Sequence, residues 1–82
     1  MRVIAYPNPT RNILSVFVDL KKPGFVSIEI LDAMGKRMHQ QNSYSGTGDR
    51  VLDFDLSAYP PGIYFLRVKG EDVNNVLKVA KF

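Results

Sequence analysis

Few residues of this chain are of a type that does chemistry. His39 is its only histidine and it has no cysteine. Thiolate catalysis, disulfides, Cys-based zinc sites and any site needing two imidazoles are therefore excluded within the chain. A histidine with no Ser or Asp tied to it, on a polar strand, reads as a surface residue rather than a general base. Asp53 and Asp55, two positions apart in an alternating segment, project from one strand face about 6.5–7 Å apart. That spacing suits a calcium site or a pair of catalytic carboxylates. Any amphipathic strand yields the same pair, and no third ligand accompanies it. Gly46-Thr47-Gly48-Asp49 has the composition of a phosphate-binding loop, but such loops present the anion to a helix N-terminus. Here a strand pattern follows. Tyr44, Phe17 and Phe25 offer a platform for a sugar or a peptide, a role that competes with ordinary cross-strand packing. This inventory favours a binding or signal module over an enzyme and implies no cofactor and no metal.

The elements that must position these residues are strands in a single small domain. With 82 residues, 45% hydrophobic and 23% charged, the chain suits one globular domain, residues 1–82. Such a domain buries only about 60–65% of its unfolded surface, too little for a deep active-site cavity. No apolar run approaches the ~20 residues of a membrane-spanning helix. The formal charge is +3, but no basic run exceeds two residues, so nucleic acid is not an expected partner. Met1-Arg2-Val3-Ile4-Ala5 is halted by Tyr6-Pro7-Asn8-Pro9, well short of the ~7–15 apolar residues of a signal-peptide core.

Period-2 alternation recurs along the chain. It predicts strands at Val3–Tyr6, Ile13–Leu20, Phe25–Leu31, Lys36 to about Gln41, Arg50–Leu56, Ile63–Lys69 and Val76–Phe82. Leu14, Val16, Val18 and Leu20 share one face of the second strand. Val26, Ile28 and Ile30 share one face of the third. The fourth is the most polar and belongs at a sheet edge, and the segment Asn42 to Asp49 after it reads as a loop. Turn signals every 8–12 residues or so, with no helical periodicity, predict an all-β, immunoglobulin-like antiparallel β-sandwich of about seven strands. Its open edges predict weak homodimerisation or strand exchange in concentrated samples.

Four patterns taken in order carry further information. They are Tyr6-Pro7-Asn8-Pro9 followed by Ile13, Leu31-Asp32-Ala33-Met34-Gly35-Lys36, Leu56 through Tyr59 leading to Gly62-Ile63-Tyr64-Phe65, and Lys78-Val79-Ala80-Lys81-Phe82. Together, and across nearly the whole chain, they resemble the type A C-terminal sorting domain of cargo proteins of the bacterial type IX secretion system. The resemblance implies a seven-stranded sandwich excised from the end of a larger secreted protein, with an upstream passenger domain. It implies travel through the periplasm to the outer membrane and cell surface, with the outer-membrane translocon and shuttle proteins of that system as partners. It further implies removal of the domain by a sortase-like peptidase, which joins the passenger to an anionic lipopolysaccharide.

Physically, the patterned residues read first as makers of the fold. Pro7 and Pro9 fix φ and withhold two N–H groups, so their segment should run extended into the first sheet without continuing a ladder. Gly35 and Gly62 supply backbone freedom at turns, and Tyr64 suits an anchor at a sandwich corner. Lys78 and Lys81 contribute little to a core, which makes them the candidates for direct recognition. The competing class is a fibronectin-like or carbohydrate-binding adhesive module that uses Phe17, Phe25 or Tyr44. Tyr59 through Val68 also looks like the corner and strand of fibronectin type III repeats.

Overall fold

A computed structural model describes residues 2–21, 23–45, 48–70 and 73–82, and the side chains of all of these except Arg2, Ser43, Tyr44 and Ser45. The fold is a β-sandwich of seven strands: β1 (Arg2–Tyr6), β2 (Ile13–Leu20), β3 (Gly24–Asp32), β4 (Arg37–Ser45), β5 (Gly48–Asp55), β6 (Gly62–Gly70) and β7 (Asn74–Lys81). One sheet has the order β1-β2-β5 and the other β4-β3-β6-β7, with every strand pair antiparallel. Compared with a constant-type immunoglobulin sandwich, the fourth strand has joined the second sheet, giving three strands against four.

Alternation sets the two layers. Leu14, Val16, Val18 and Leu20 of β2 face Val26, Ile28 and Ile30 of β3 and Tyr64, Leu66 and Val68 of β6, all buried in one cluster. Val16 and Val68 are 0% exposed and Leu66 1%, so each contributes on the order of 1.5–3 kcal/mol of burial. Polar β4 is an edge strand, as its composition predicts.

The Asn42–Asp49 loop expectation is corrected. Asn42–Ser45 continue β4 opposite Gly24–Ser27, and Gly48 and Asp49 open β5 opposite Leu20 and Asp19. Polar side chains are compatible with strands here because each of these strands is a sheet edge with solvent beside it. Gly46 and Thr47 lie outside the described residues.

The Asp32–Lys36 turn shows why its pattern has that spelling. Gly35 N–H donates to the Asp32 carbonyl, and Asp32 N–H to that of Lys36. The Asp32 carboxylate also accepts from the N–H groups of Met34 and Lys36, at 2.9 and 2.8 Å. Gly35 sits at φ 88°, a left-handed position that a side chain disfavours. This is a three-residue hairpin loop closed by a glycine bulge.

Candidate functional site

The four patterns, scattered from residue 6 to the C-terminus in sequence, meet at one end of the sandwich. Asp32 lies opposite Tyr64 and Gly62 opposite Lys81, so the β3–β4 turn, the start of β6 and the end of β7 are neighbours. Thr10, just before β2, bridges to Lys81. Leu56 N–H, just after β5, donates to the Asn12 carbonyl at 2.7 Å.

The segment between β1 and β2 forms a strap along the outer edge of β7. The Asn8 side chain donates through Nδ2 to the Lys78 carbonyl at 2.9 Å and accepts through Oδ1 from Ala80 N–H at 3.0 Å. Thr10 N–H then donates to the Ala80 carbonyl at 2.9 Å, and Phe82 N–H to the Thr10 carbonyl at 3.0 Å. The expectation that the Pro7–Pro9 segment runs extended into the first sheet without continuing a ladder is therefore corrected. Both are exposed and each follows a cis peptide bond, and the segment they flank makes a parallel pairing with the opposite sheet. Two prolines without N–H groups leave Asn8 to supply a donor and an acceptor from its side chain. Thr10, 1% exposed, donates its hydroxyl to the Ile13 carbonyl at 2.6 Å, which locks the return into β2. Thr10 belongs to none of the four patterns, and Asn8 stands in the first of them with no role assigned by sequence. The signal was there in a short amide between two prolines, a side chain able to stand in for backbone.

Tyr64 fills the corner role predicted for it. It is buried, its hydroxyl donates to the Pro60 carbonyl at 2.5 Å, and its ring lies 5.5 Å from that of Tyr59. Burial, and secondarily Tyr64 beside it, pushes the Tyr59 phenol above its ordinary value. Gly62, at φ 154° with open space around it, starts β6 directly after this corner.

Lys78 and Lys81 are three residues apart on one strand, so alternation sends them to opposite faces. Lys78 is exposed, on the outer face of the four-stranded sheet opposite Phe65. Lys81 is half-buried at the sandwich end, with Nζ donating to the Phe82 carbonyl at 3.2 Å. Beside it the Arg11 guanidinium stands 5.3 Å above the Phe82 ring, a cation–π contact. The structure does not bring the two lysines into one patch.

The remaining candidates take structural roles. His39 is not the solvent-facing residue the sequence suggests. A bulge shifts the register so that Ile30 faces His39 while Leu31 faces Arg37, and the imidazole turns inward. It meets the Phe54 ring at 5.5 Å and 67°, with Nε2 buried and without a hydrogen-bond partner among the described residues. Asp53 and Asp55 do share a face, but each is engaged separately. Asp53 accepts from the Ser15 hydroxyl at 2.6 Å. Asp55 accepts from Ser57 N–H at 2.9 Å, and the Ser57 hydroxyl, then that N–H, hold its carboxyl below the ordinary value. Among the described residues no group of three His, Cys, Asp or Glu side chains gathers to hold a metal. Gly48 and Asp49 of the glycine-rich stretch lie in β5. Phe17 and Phe25 stand on different sheets, so the three aromatics are not one platform; Phe25 lies opposite Tyr44 in register, whose side chain lies outside the described residues.

None of the curated proteins compared with the chain matches it. The sequence profile of the secretion system C-terminal sorting domain matches residues 4–81, a span that contains the strap, both turns and the whole of the terminal strand. A seven-stranded sandwich whose patterned turns gather at one end, matched over almost its full length, belongs to the family of type IX secretion C-terminal sorting domains.

Proposed function

We propose that the chain acts as a folded export signal whose read surface is the pattern-bearing end of the sandwich, where Pro7, Pro9, Gly35, Gly62, Tyr64 and Lys81 gather, together with Lys78 on the adjoining outer face. Membership of the family makes it a sorting signal of a secreted protein bound for the outer membrane or cell surface. In this reading it carries an upstream passenger domain from the periplasm through the translocon, handed on by shuttle proteins of the type IX system. A sortase-like peptidase then removes it. The convergence of four sequence-distant patterns at one end is the observation that supports this most. Most of these residues shape that end, while Lys78 and Lys81 supply charge from two directions for a partner to read.

The test is a fusion of this chain behind an unrelated periplasmic protein, in a host with the secretion system. The passenger is expected at the cell surface, with the domain cleaved off. Deleting Val76–Phe82 should abolish export, because the strap loses the edge it pairs with. The double variant Lys78→Ala with Lys81→Ala keeps the backbone ladder, so lost export at an unchanged melting temperature assigns a recognition role to the charges. A fusion that stays in the periplasm with its domain folded and intact overturns the reading, and the adhesive module replaces it.

A further inference from the structure

The two outer faces of the sandwich carry opposite charge, the acidic one around an apolar centre. On the three-stranded sheet, register aligns Ile4, Phe17 and Val51 across all three strands. Ile4 is 41% and Val51 51% exposed. The same face carries Asp19 opposite Asp49, and Asp53 and Asp55 further along β5. Arg2 shares the row of Asp19 by register, and Arg50 alternates to the other side of β5.

On the four-stranded sheet, Arg37, Leu31, Phe65 and Lys78 form one cross-sheet row. Gln40, Glu29, Arg67 and Val76 form the next, and Asn42, Ser27, Lys69 and Asn74 the third. Glu29 is the only carboxylate in these rows, and it is held between Arg67 and Arg37, at 2.7 and 3.4 Å. Lys69 and Lys78 are exposed cations on that face, and among the described residues no carboxylate pairs with either. Rows lie about 7 Å apart along the strands on both faces, so carboxylates and cations recur on a common spacing.

We propose that these faces are complementary docking surfaces for one another on separate copies of the chain, the cationic face of one copy receiving the acidic, apolar-centred face of the next. The stacking repeats the geometry of the sandwich interior, sheet on sheet about 10 Å apart. It pairs different patches, so it is head-to-tail and does not close into a two-fold dimer. Two or three rows of a narrow sheet form a small interface, which places the association in the weak, transient class. Strand exchange through open edges would leave the outer faces unused, so the two routes are separable. The inference is independent of the export reading, and its failure leaves that reading in place.

The test is sedimentation of the 82-residue chain near millimolar concentration. At about 20 mM salt the weight-average mass should rise roughly 1.5- to 2-fold above monomer, and return to monomer near 1 M salt, where the screening length falls to about 3 Å. Lys69→Glu with Lys78→Glu makes both faces acidic, and Asp49→Lys with Asp53→Lys cancels the acidic excess of the three-stranded face while leaving the other cationic. Each variant alone should be monomeric, and an equimolar mixture should associate again. Should a double variant fail to fold by circular dichroism, Lys69→Glu and Asp49→Lys singly serve the same comparison. A parent that stays monomeric at low salt, variants that associate as the parent does, or a folded mixture that stays monomeric would each overturn the proposal.

Discussion

Asn8 and Lys78, 70 positions apart in the chain, are joined by one side-chain amide at 2.9 Å. The same amide accepts from Ala80, so the segment leaving the first strand and the last strand of the fold stabilise one another. Asn8→Ala removes two hydrogen bonds at an exposed site, where water takes over part of each. The expected cost is about 1–2 kcal/mol, a fall in Tm of roughly 5–10 °C for a domain this small. Hydrogen exchange at the Ala80 amide should accelerate by more than at core amides. Unchanged protection there would mean the strap does not hold the edge.

Thr10→Val tests the other half of the strap. Valine keeps the volume of a fully buried residue but loses the hydroxyl that donates to Ile13. That leaves a carbonyl unpaired, for an expected loss of about 1–3 kcal/mol. Thr10→Ser, which retains the donor, should recover much of it, and denaturant unfolding of the three proteins makes the comparison.

Tyr64→Phe removes the bond to Pro60 while keeping the ring in the core. Stability should fall by about 1–2 kcal/mol, and the Pro60–Gly62 corner should loosen, seen as faster exchange at the Tyr59 and Ile63 amides. Leu66→Ala, by contrast, empties the centre of the core and should cost about 2–5 kcal/mol.

Glu29 is buried although it points to the outer face, because Arg67 grips it with Nε and Nη2 at 2.9 and 2.7 Å and Arg37 flanks it. Both arginines are about half exposed, so solvent screens the cluster. Glu29→Ala leaves two cations facing each other and should cost about 1–2 kcal/mol, more at low salt than at high. Glu29→Gln keeps an acceptor for Arg67 and should cost less. Equal losses for the two variants would remove the charge argument.

How much of this could be read in advance differs by residue. Leu14, Ile28 and Leu66 announced their faces, because strict alternation has one consequence for a half-buried strand. The hairpin at Asp32–Gly35 was legible because its chemistry is local: an Asx cap and a left-handed glycine occupy adjacent positions. His39 was misplaced because one bulged residue reverses which side of a strand faces the core, and nothing in the composition marks where a bulge falls. Asn42–Ser45 and Gly48–Asp49 were misread because propensity records solubility there, while pairing across the sheet decides conformation. The gathering of the four patterns at one end depends on pairings such as Gly62 with Lys81, which are long-range and have no local signature.

Asp55 supplies a pH dependence whose sign follows from its partners. The Ser57 hydroxyl and N–H bond the ionised carboxylate, so its folded value lies below the ordinary 3.8 of an aspartate. A group depressed on folding contributes stability that is fully present above its unfolded value and is lost as pH falls through the folded one. The window therefore lies in acid, below about pH 4, and neutral stability should be flat with respect to this group. Ser57→Ala removes the larger of the two causes, so the Asp55 carboxyl should titrate closer to its ordinary value. Carboxyl carbon shifts followed by NMR between about pH 2 and 6 span that titration. An Asp55 curve unaltered by Ser57→Ala would show that the serine hydroxyl does not bond the carboxylate in solution. The acid limb of the parent's stability profile would then belong to other carboxylates.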